Sequence, residues 1–276
     1  MNIKNRLTNL SYSFIKKYSS LLDNNQLRVI NIHNIDQNQF SELEMLILDL
    51  KKNSWQFITP TEFLLLKNNP NKILGKNVLV TFDDGYKSQY EFAKIILKKY
   101  NIKAIFFVIN EFVLIKDEYK NNFIKNKLFP NTINVDISKF DNMKLSQLKE
   151  LIDDNHMIGA HTKSHRRLSN IKYENELKDE IIVAADELQS LLNYKIKNFA
   201  YTFGDINSIN KLSINLASKR FDFIFSGLRG NNLKKSKIVA REAINFYSDI
   251  TLNHAILNGI YDLFYKTKLN KLKKWV

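Results

Sequence analysis

The chain has 276 residues, enough for one large α/β domain or two small ones with a substantial core. Its composition, 44% hydrophobic and 25% charged, excludes a disordered chain, and the absence of cysteine excludes disulfides, thiolate metal sites and cysteine nucleophiles. Lys and Arg outnumber Asp and Glu by 42 to 28, a net charge of +14 that favours anionic partners; with no dominant basic run and no nucleic-acid-binding motif, no nucleic-acid partner is expected.

Residues 1–26 mix Lys and Arg with aromatic and aliphatic side chains and form an N-terminal amphipathic segment. This segment lacks the continuous apolar stretch and small-residue site of a signal peptide. No run approaches the roughly 18 to 20 apolar residues that cross a bilayer. The expected location is therefore the cytoplasm. From residue 27 onward, strand-like and helix-like segments alternate. Residues 27–32 are a short β-rich run ending at His33, and residues 40–53 carry Phe40, Leu43, Leu46, Ile47 and Leu50 at helical spacing. Residues 77–82 are a continuous apolar run of the kind buried parallel strands show, followed by a helix over 88–100 and a strand over 104–109.

Residues 110–143 break this rhythm. They are rich in Asn and Lys, contain Pro130, and read as an insertion or lid with little regular structure. The alternation then resumes: a helix capped by Ser146 to about residue 155, a strand into Ala160 and His161, and a helix over 173–192. A strand over 197–201, a helix over 208–219 and strands over 221–226 and 239–244 complete it. Repeated βα units imply parallel strands with right-handed crossovers, and chemistry at their carboxyl ends. A single domain over residues 27–262 is expected, followed by a basic tail over 263–276.

Two polar motifs fall at strand ends. Thr81-Phe82-Asp83-Asp84-Gly85 sets two carboxylates side by side, which repel and cost desolvation unless a positive charge lies near them. Asp-Gly is also a common turn pair. His161-Thr162-Lys163-Ser164-His165 spaces two histidines so that both can reach one ion, although two exposed loop histidines would give the same string. Together the motifs supply two His and one carboxylate, a common catalytic zinc set with positions left for water and substrate.

At these residues the sequence resembles the polysaccharide deacetylases of carbohydrate esterase family 4, the NodB-homology domain. Thr81 to Gly85 is similar to the family's T-F-D-D-G motif and His161 to His165 to its H-[ST]-x-x-H motif. The resemblance covers roughly residues 27–260. It implies an α/β fold, a distorted (β/α) barrel of about seven parallel strands. It also implies Asp83 as general base and Asp84, His161 and His165 as ligands of a divalent metal, Zn2+ first, with Co2+, Ni2+ or Mn2+ as alternatives. The reaction implied is removal of an N-acetyl group from an amino sugar that is polymeric, lipid-linked or nucleotide-linked, in cell-surface polysaccharide biosynthesis.

The third family motif departs from the pattern. Where many members have Arg-Pro-Pro-[YF]-Gly, this chain has Ala200-Tyr201-Thr202-Phe203-Gly204. Arg241, in Val239-Ala240-Arg241-Glu242-Ala243-Ile244, resembles the late-strand arginine of another branch and would replace the missing one beside Asp83. Tyr201, Phe203 and Gly204 are expected to line the substrate pocket, with a backbone amide near Gly85 or Tyr201 facing the oxyanion. The altered motif also leaves a non-catalytic carbohydrate-binding member as an alternative.

For the general acid, the late Leu-x-x-His motif of the family finds only His254, one residue out of register. His33, at the barrel face shared with Asp83 and His161, is preferred as acid or substrate-positioning group. The basic tail, like residues 6–22, could lie on an anionic membrane surface such as the inner face of the plasma membrane.

Overall fold

The structure, a computed structural model, describes residues 24–134, 136–244 and 250–276. The amphipathic segment at the N-terminus lies almost wholly outside them. Among the described residues the strands in chain order are β1 (Gln26–Ile32), β2 (Trp55–Phe57), β3 (Lys76–Asp84), β4 (Ala104–Val108), β5 (Met157–Ala160), β6 (Asn198–Ala200), β7 (Phe223–Phe225), β8 (Ile238–Val239) and β9 (Glu242–Ala243). All strand pairings are parallel, in the order β8-β7-β6-β5-β4-β3-β1-β9. β2 occupies the start of β3's second edge, at Lys76 to Val78, and β4 takes over from Val80.

β8 and β9 are two residues apart in sequence yet lie at opposite ends of this order. The sheet must therefore curl until its two edges meet across Ala240 and Arg241. Polar side chains close the lower part of that seam. Asn231 Oδ1 accepts from the Leu27 amide, and Asn232 Nδ2 donates to the carbonyls of Leu27 and Ala240. These contacts satisfy backbone groups that an open sheet edge would leave bare.

Strand alternation explains the two apolar layers. Leu27, Val29, Leu79, Ile105, Phe107, Phe223, Phe225 and Val239 fill the barrel interior. Their neighbours Ile30, Val78, Val80, Phe82, Phe106 and Ile224 face outward, against helices that include Phe40–Lys52, Leu145–Asp153 and Lys211–Arg220. The same period of two carries the inward series upward to polar residues: Asn31 and His33 after Val29, Thr81 and Asp83 after Leu79, Arg241 after Val239.

The expected barrel is present, with three departures from the expected segments. β2 adds a strand, and the single late strand over 239–244 is split into β8 and β9 around Arg241. The insertion is more regular than its composition suggests, with helices Asn110–Leu114 and Asp117–Phe123 and a π turn, Ile124–Leu128. Phe123 and Ile124 bury themselves with Tyr86, Ile109 and Phe112, so a local apolar cluster rather than helix propensity fixes this segment. The basic tail is a helix, Asp262–Lys273, docked by buried Leu269 and Leu272.

Candidate active site

β3 delivers both carboxylates to the carboxyl end of the barrel. Alternation turns Asp83 inward, and Asp84 closes the strand with φ of +78°, a left-handed conformation uncommon outside glycine that Asp tolerates better than most residues. Thr162, His165 and Phe203 at the same end also have positive φ, at 66°, 60° and 63°. Four of the eight non-glycine residues with positive φ among the described residues thus lie at this end of the barrel.

Asp84, His161 and His165 converge. Asp84 Oδ1 lies 3.4 Å from His161 Nε2 and 3.6 Å from His165 Nε2. His161 Nδ1 is 2.7 Å from the Ala200 carbonyl, and His165 Nδ1 is 3.0 Å from the Lys127 carbonyl. A carbonyl only accepts, so each Nδ1 carries the proton and each Nε2 offers its lone pair toward Asp84. Asp84 Oδ1 is buried and has no hydrogen-bond partner. An orphaned carboxylate oxygen facing two imidazole lone pairs fits a divalent cation, and these three donor atoms lie within 4.8 Å of one another.

Arg241 binds the other carboxylate. Its Nη1 and Nη2 donate to Asp83 Oδ1 and Oδ2 at 2.6 and 2.8 Å, a bidentate pair with both side chains buried. Nε donates to the Ser226 carbonyl and Nη1 also to Asn31 Oδ1. The guanidinium lies 5.5 Å from the centre of the Phe107 ring. Burial alone would push the Asp83 carboxyl up; Arg241, with His161 and His33, outweighs it and holds the group below the ordinary carboxylate range. Asp84 is likewise held low against burial by His161, His165 and His33. Burial would lower His161, but Asp83 and Asp84 raise it. Two adjacent buried carboxylates, of which Arg241 pairs only Asp83, thus draw a further positive charge, either a proton on His161 or a cation among the three donors.

Buried side chains hold the backbone of the histidine loop and of the strand ends beside it. Glu180, buried in a π turn, Asp179–Val183, accepts from the amides of Lys163 and Ser164 and from the Ser164 hydroxyl. The His165 amide donates to Thr162 Oγ1. Gln89 Nε2 donates to the carbonyls of Asp83 and His33, tying the ends of β1 and β3.

Above these groups opens a cavity of about 690 Å³, lined among others by His33, Asn31, Tyr86, Phe203, Gly204 and Gly227. Of the residues the sequence singles out beyond the donors, His33, Phe203 and Gly204 are in this lining. The Phe203 ring centre stands 4.9 Å from that of His165, and the Arg167 guanidinium lies over the Phe203 ring, 4.4 Å from its centre. Tyr201 is not in the lining. One step beyond inward-facing Ala200, it points outward into the helix-side core, and its hydroxyl donates to the Gly204 carbonyl at 2.8 Å. Its amide donates to the Phe225 carbonyl, so it is not free to face an oxyanion. His254 is paired with Asp49 on the outer helix Phe40–Lys52 and lines no part of the cavity.

Several contributors carry no sequence signal of their own. Leu128, Phe129 and Phe140 of the insertion wall the cavity. Gly227 approaches Gly204 so closely that a Cβ on Gly204 would lie 2.7 Å from the Gly227 Cα. Tyr86 is buried beside Asp84, and burial together with that carboxylate pushes its hydroxyl pKa well up, keeping it a proton donor.

Residues 71–219, more than half the chain, match the polysaccharide deacetylase family model. The chain belongs to the polysaccharide deacetylase family. Deacetylases of this family are metal-dependent and act on N-acetylated carbohydrates, and Asp84, His161 and His165 form a candidate metal site of that kind. YxkH of Bacillus subtilis (strain 168), a candidate polysaccharide deacetylase, is 31% identical over 134 residues, 49% of this chain and 44% of that protein. The peptidoglycan-N-acetylglucosamine deacetylase of Bacillus cereus is 29% identical over 131 residues, 47% of this chain and 37% of that one. The matches thus span less than half the length of these curated relatives. Among solved structures, Streptococcus pyogenes deacetylase PplD in complex with acetate superposes with a TM-score of 0.65 at 18% identity, covering 84% of this chain and 98% of that one. IcaB from Ammonifex degensii gives 0.63 at 22%, covering 85% and 97%. At these identities the likeness is one of fold.

Proposed function

We propose that the chain is a metal-dependent N-deacetylase that hydrolyses the N-acetyl group of an amino sugar in cell-surface glycan metabolism. The observation that carries this reading is the buried, unpartnered Asp84 Oδ1 facing the two Nε2 lone pairs, directly beside the Asp83–Arg241 pair. Asp84, His161 and His165 would hold a divalent cation, zinc being the best match to two imidazoles and one carboxylate. Such a cation supplies Lewis acidity to a water molecule and to a carbonyl oxygen.

The chain's own residues do the rest. Asp83, kept ionised and oriented by Arg241, takes the proton of the attacking water. His33, on the inward series of β1 and in the cavity lining, gives a proton to the departing amine. Phe203 and Gly204 form the wall against which the sugar lies. Arg241 supports catalysis over the carbohydrate-binding alternative, because it fills the role left open by Ala200. The test is acetate release from N-acetylhexosamine oligomers, with and without chelator. Release that stops on chelation and returns with Zn2+ supports the proposal; no release under any metal sinks it.

The C-terminal helix supports peripheral contact with an anionic membrane. Leu263 and Phe264 are exposed at 79% and 75%, Lys266, Lys268 and Lys271 are exposed on the same helix, and Lys274 is exposed just beyond its end. Flotation with anionic liposomes at low salt tests this, and failure to float ends it.

A further inference from the structure

The insertion grips both halves of the donor set. Its first residues hold the histidine loop, through the Asn110 amide on the Thr162 carbonyl at 3.2 Å and the Glu111 amide on the Lys163 carbonyl at 2.9 Å. Its last residues hold the turn after Asp84. The Met143 amide donates to the Gly85 carbonyl at 2.9 Å, the Lys87 amide to the Asp141 carbonyl at 2.8 Å, and Asn142 bridges to Tyr86. In its middle, the Lys127 carbonyl accepts from His165 Nδ1 at 3.0 Å. That carbonyl belongs to the π turn Ile124–Leu128, a geometry that frees and re-aims backbone groups and often occurs at functional sites. The turn is anchored by Phe123 and Ile124 in a cluster separate from the barrel core, and it leads directly into Leu128 and Phe129 of the cavity wall.

We propose that the insertion is a positioning strap. The Lys127 carbonyl sets the tautomer and ring orientation of His165, so that cation binding at Asp84, His161 and His165 and the packing of residues 124–129 stabilise each other. A carbonyl fixed against Nδ1 keeps the proton there and Nε2 bare, which is what a cation ligand requires. Release of the turn frees the His165 ring to rotate and to change tautomer. Coupling of this kind is reciprocal: whatever the turn adds to cation affinity, the cation returns to the turn and to the Phe129 wall beside it. The inference rests on the metal site proposed above, and its tests read cation binding and backbone protection rather than acetate release.

Ile124→Ala removes an anchor of the turn without touching the donors or the cavity lining. Zn2+ affinity, measured by competition with a chromophoric chelator, should fall by roughly 10-fold or more, as loss of an outer-sphere partner does elsewhere. Leu43→Ala, a core truncation on helix Phe40–Lys52, should leave that affinity unchanged. In the wild-type chain, hydrogen exchange of residues 124–129 should slow on adding Zn2+, while residues 211–220 should not respond. Unaltered affinity in a folded Ile124→Ala variant overturns the strap, and so does unaltered exchange over 124–129 in wild type, which needs no variant to fold. Absence of any Zn2+ binding in wild type would instead defeat the metal site itself.

Discussion

Arg241 shows how one side chain sets the chemistry of another. A bidentate guanidinium holds Asp83 below the ordinary carboxylate range in spite of burial. Because the folded-state pKa is depressed, this pair stabilises the fold above the ordinary carboxylate pKa, and the contribution is lost as pH falls through the lowered value. Arg241→Lys replaces a planar fork by a point charge. Its acetate release should fall by about 10²-fold, with the acidic limb of the pH–rate profile moved to higher pH as Asp83 rises. An acidic limb that stays in place would separate Asp83 from the base role. At the cavity wall, Gly204→Ala would drive a Cβ into Gly227 at φ of +67° and should cost more than about 1 kcal/mol in a denaturant melt. For the general acid, His33→Ala should lower acetate release by roughly 10²-fold with metal content unchanged, whereas His254→Ala, which breaks only the pair with Asp49, should leave it alone. The reverse pattern would exchange their roles.

At the scale of elements, legibility followed burial. β3 and β4 are buried on both faces and read as continuous apolar runs, so their strands and the Asp pair at the end of β3 were visible in the chain. β2, β8 and β9 are two or three residues long, too short to show a period, and they exist because a neighbouring edge is there to pair with. The insertion's helices were missed because their Asn- and Lys-rich surface hides the few apolar residues that anchor them. Asp84, His161 and His165 could be found from residue types, but the carbonyls of Ala200 and Lys127 that fix their tautomers could not, since a backbone atom has no letter in the sequence. Arg241 was legible only through family resemblance, and strand alternation after inward-facing Ala200 turns Tyr201 away from the cavity. β5 offers a separate test. His156, just before it, is buried, with Nδ1 accepting from the Ala104 amide, and burial with Lys103 nearby pushes its pKa down to about 4. The unfolded chain takes up this proton near pH 6.5 and the folded one near 4, so stability should fall as pH drops across that window, by up to about 3 kcal/mol. His156→Asn, which keeps an acceptor but cannot titrate, should flatten that loss in urea melts at pH 7 and 4.5; an equal loss in the variant would contradict it.

For the molecule as a whole, the barrel's seam and its site are one structure. The chain crosses between the sheet's two edges at Ala240 and Arg241, and buried Arg28 and Glu242 with half-buried Asp262 form an ion cluster that ties the C-terminal helix to β1 and β9 next to that crossing. A cation bound only by the folded state should raise stability by about 2.7 kcal/mol at roughly a hundredfold excess over its dissociation constant. The thermal midpoint should therefore climb with Zn2+ in wild type and not in His161→Ala. The most direct test is to measure bound zinc and acetate release together in Asp83→Asn and Asp84→Asn. Asp83→Asn should keep its zinc and lose about 10² to 10⁴ in rate, while Asp84→Asn should lose zinc and rate together. Zinc lost equally from both variants would contradict the division between a metal-holding and a proton-taking carboxylate.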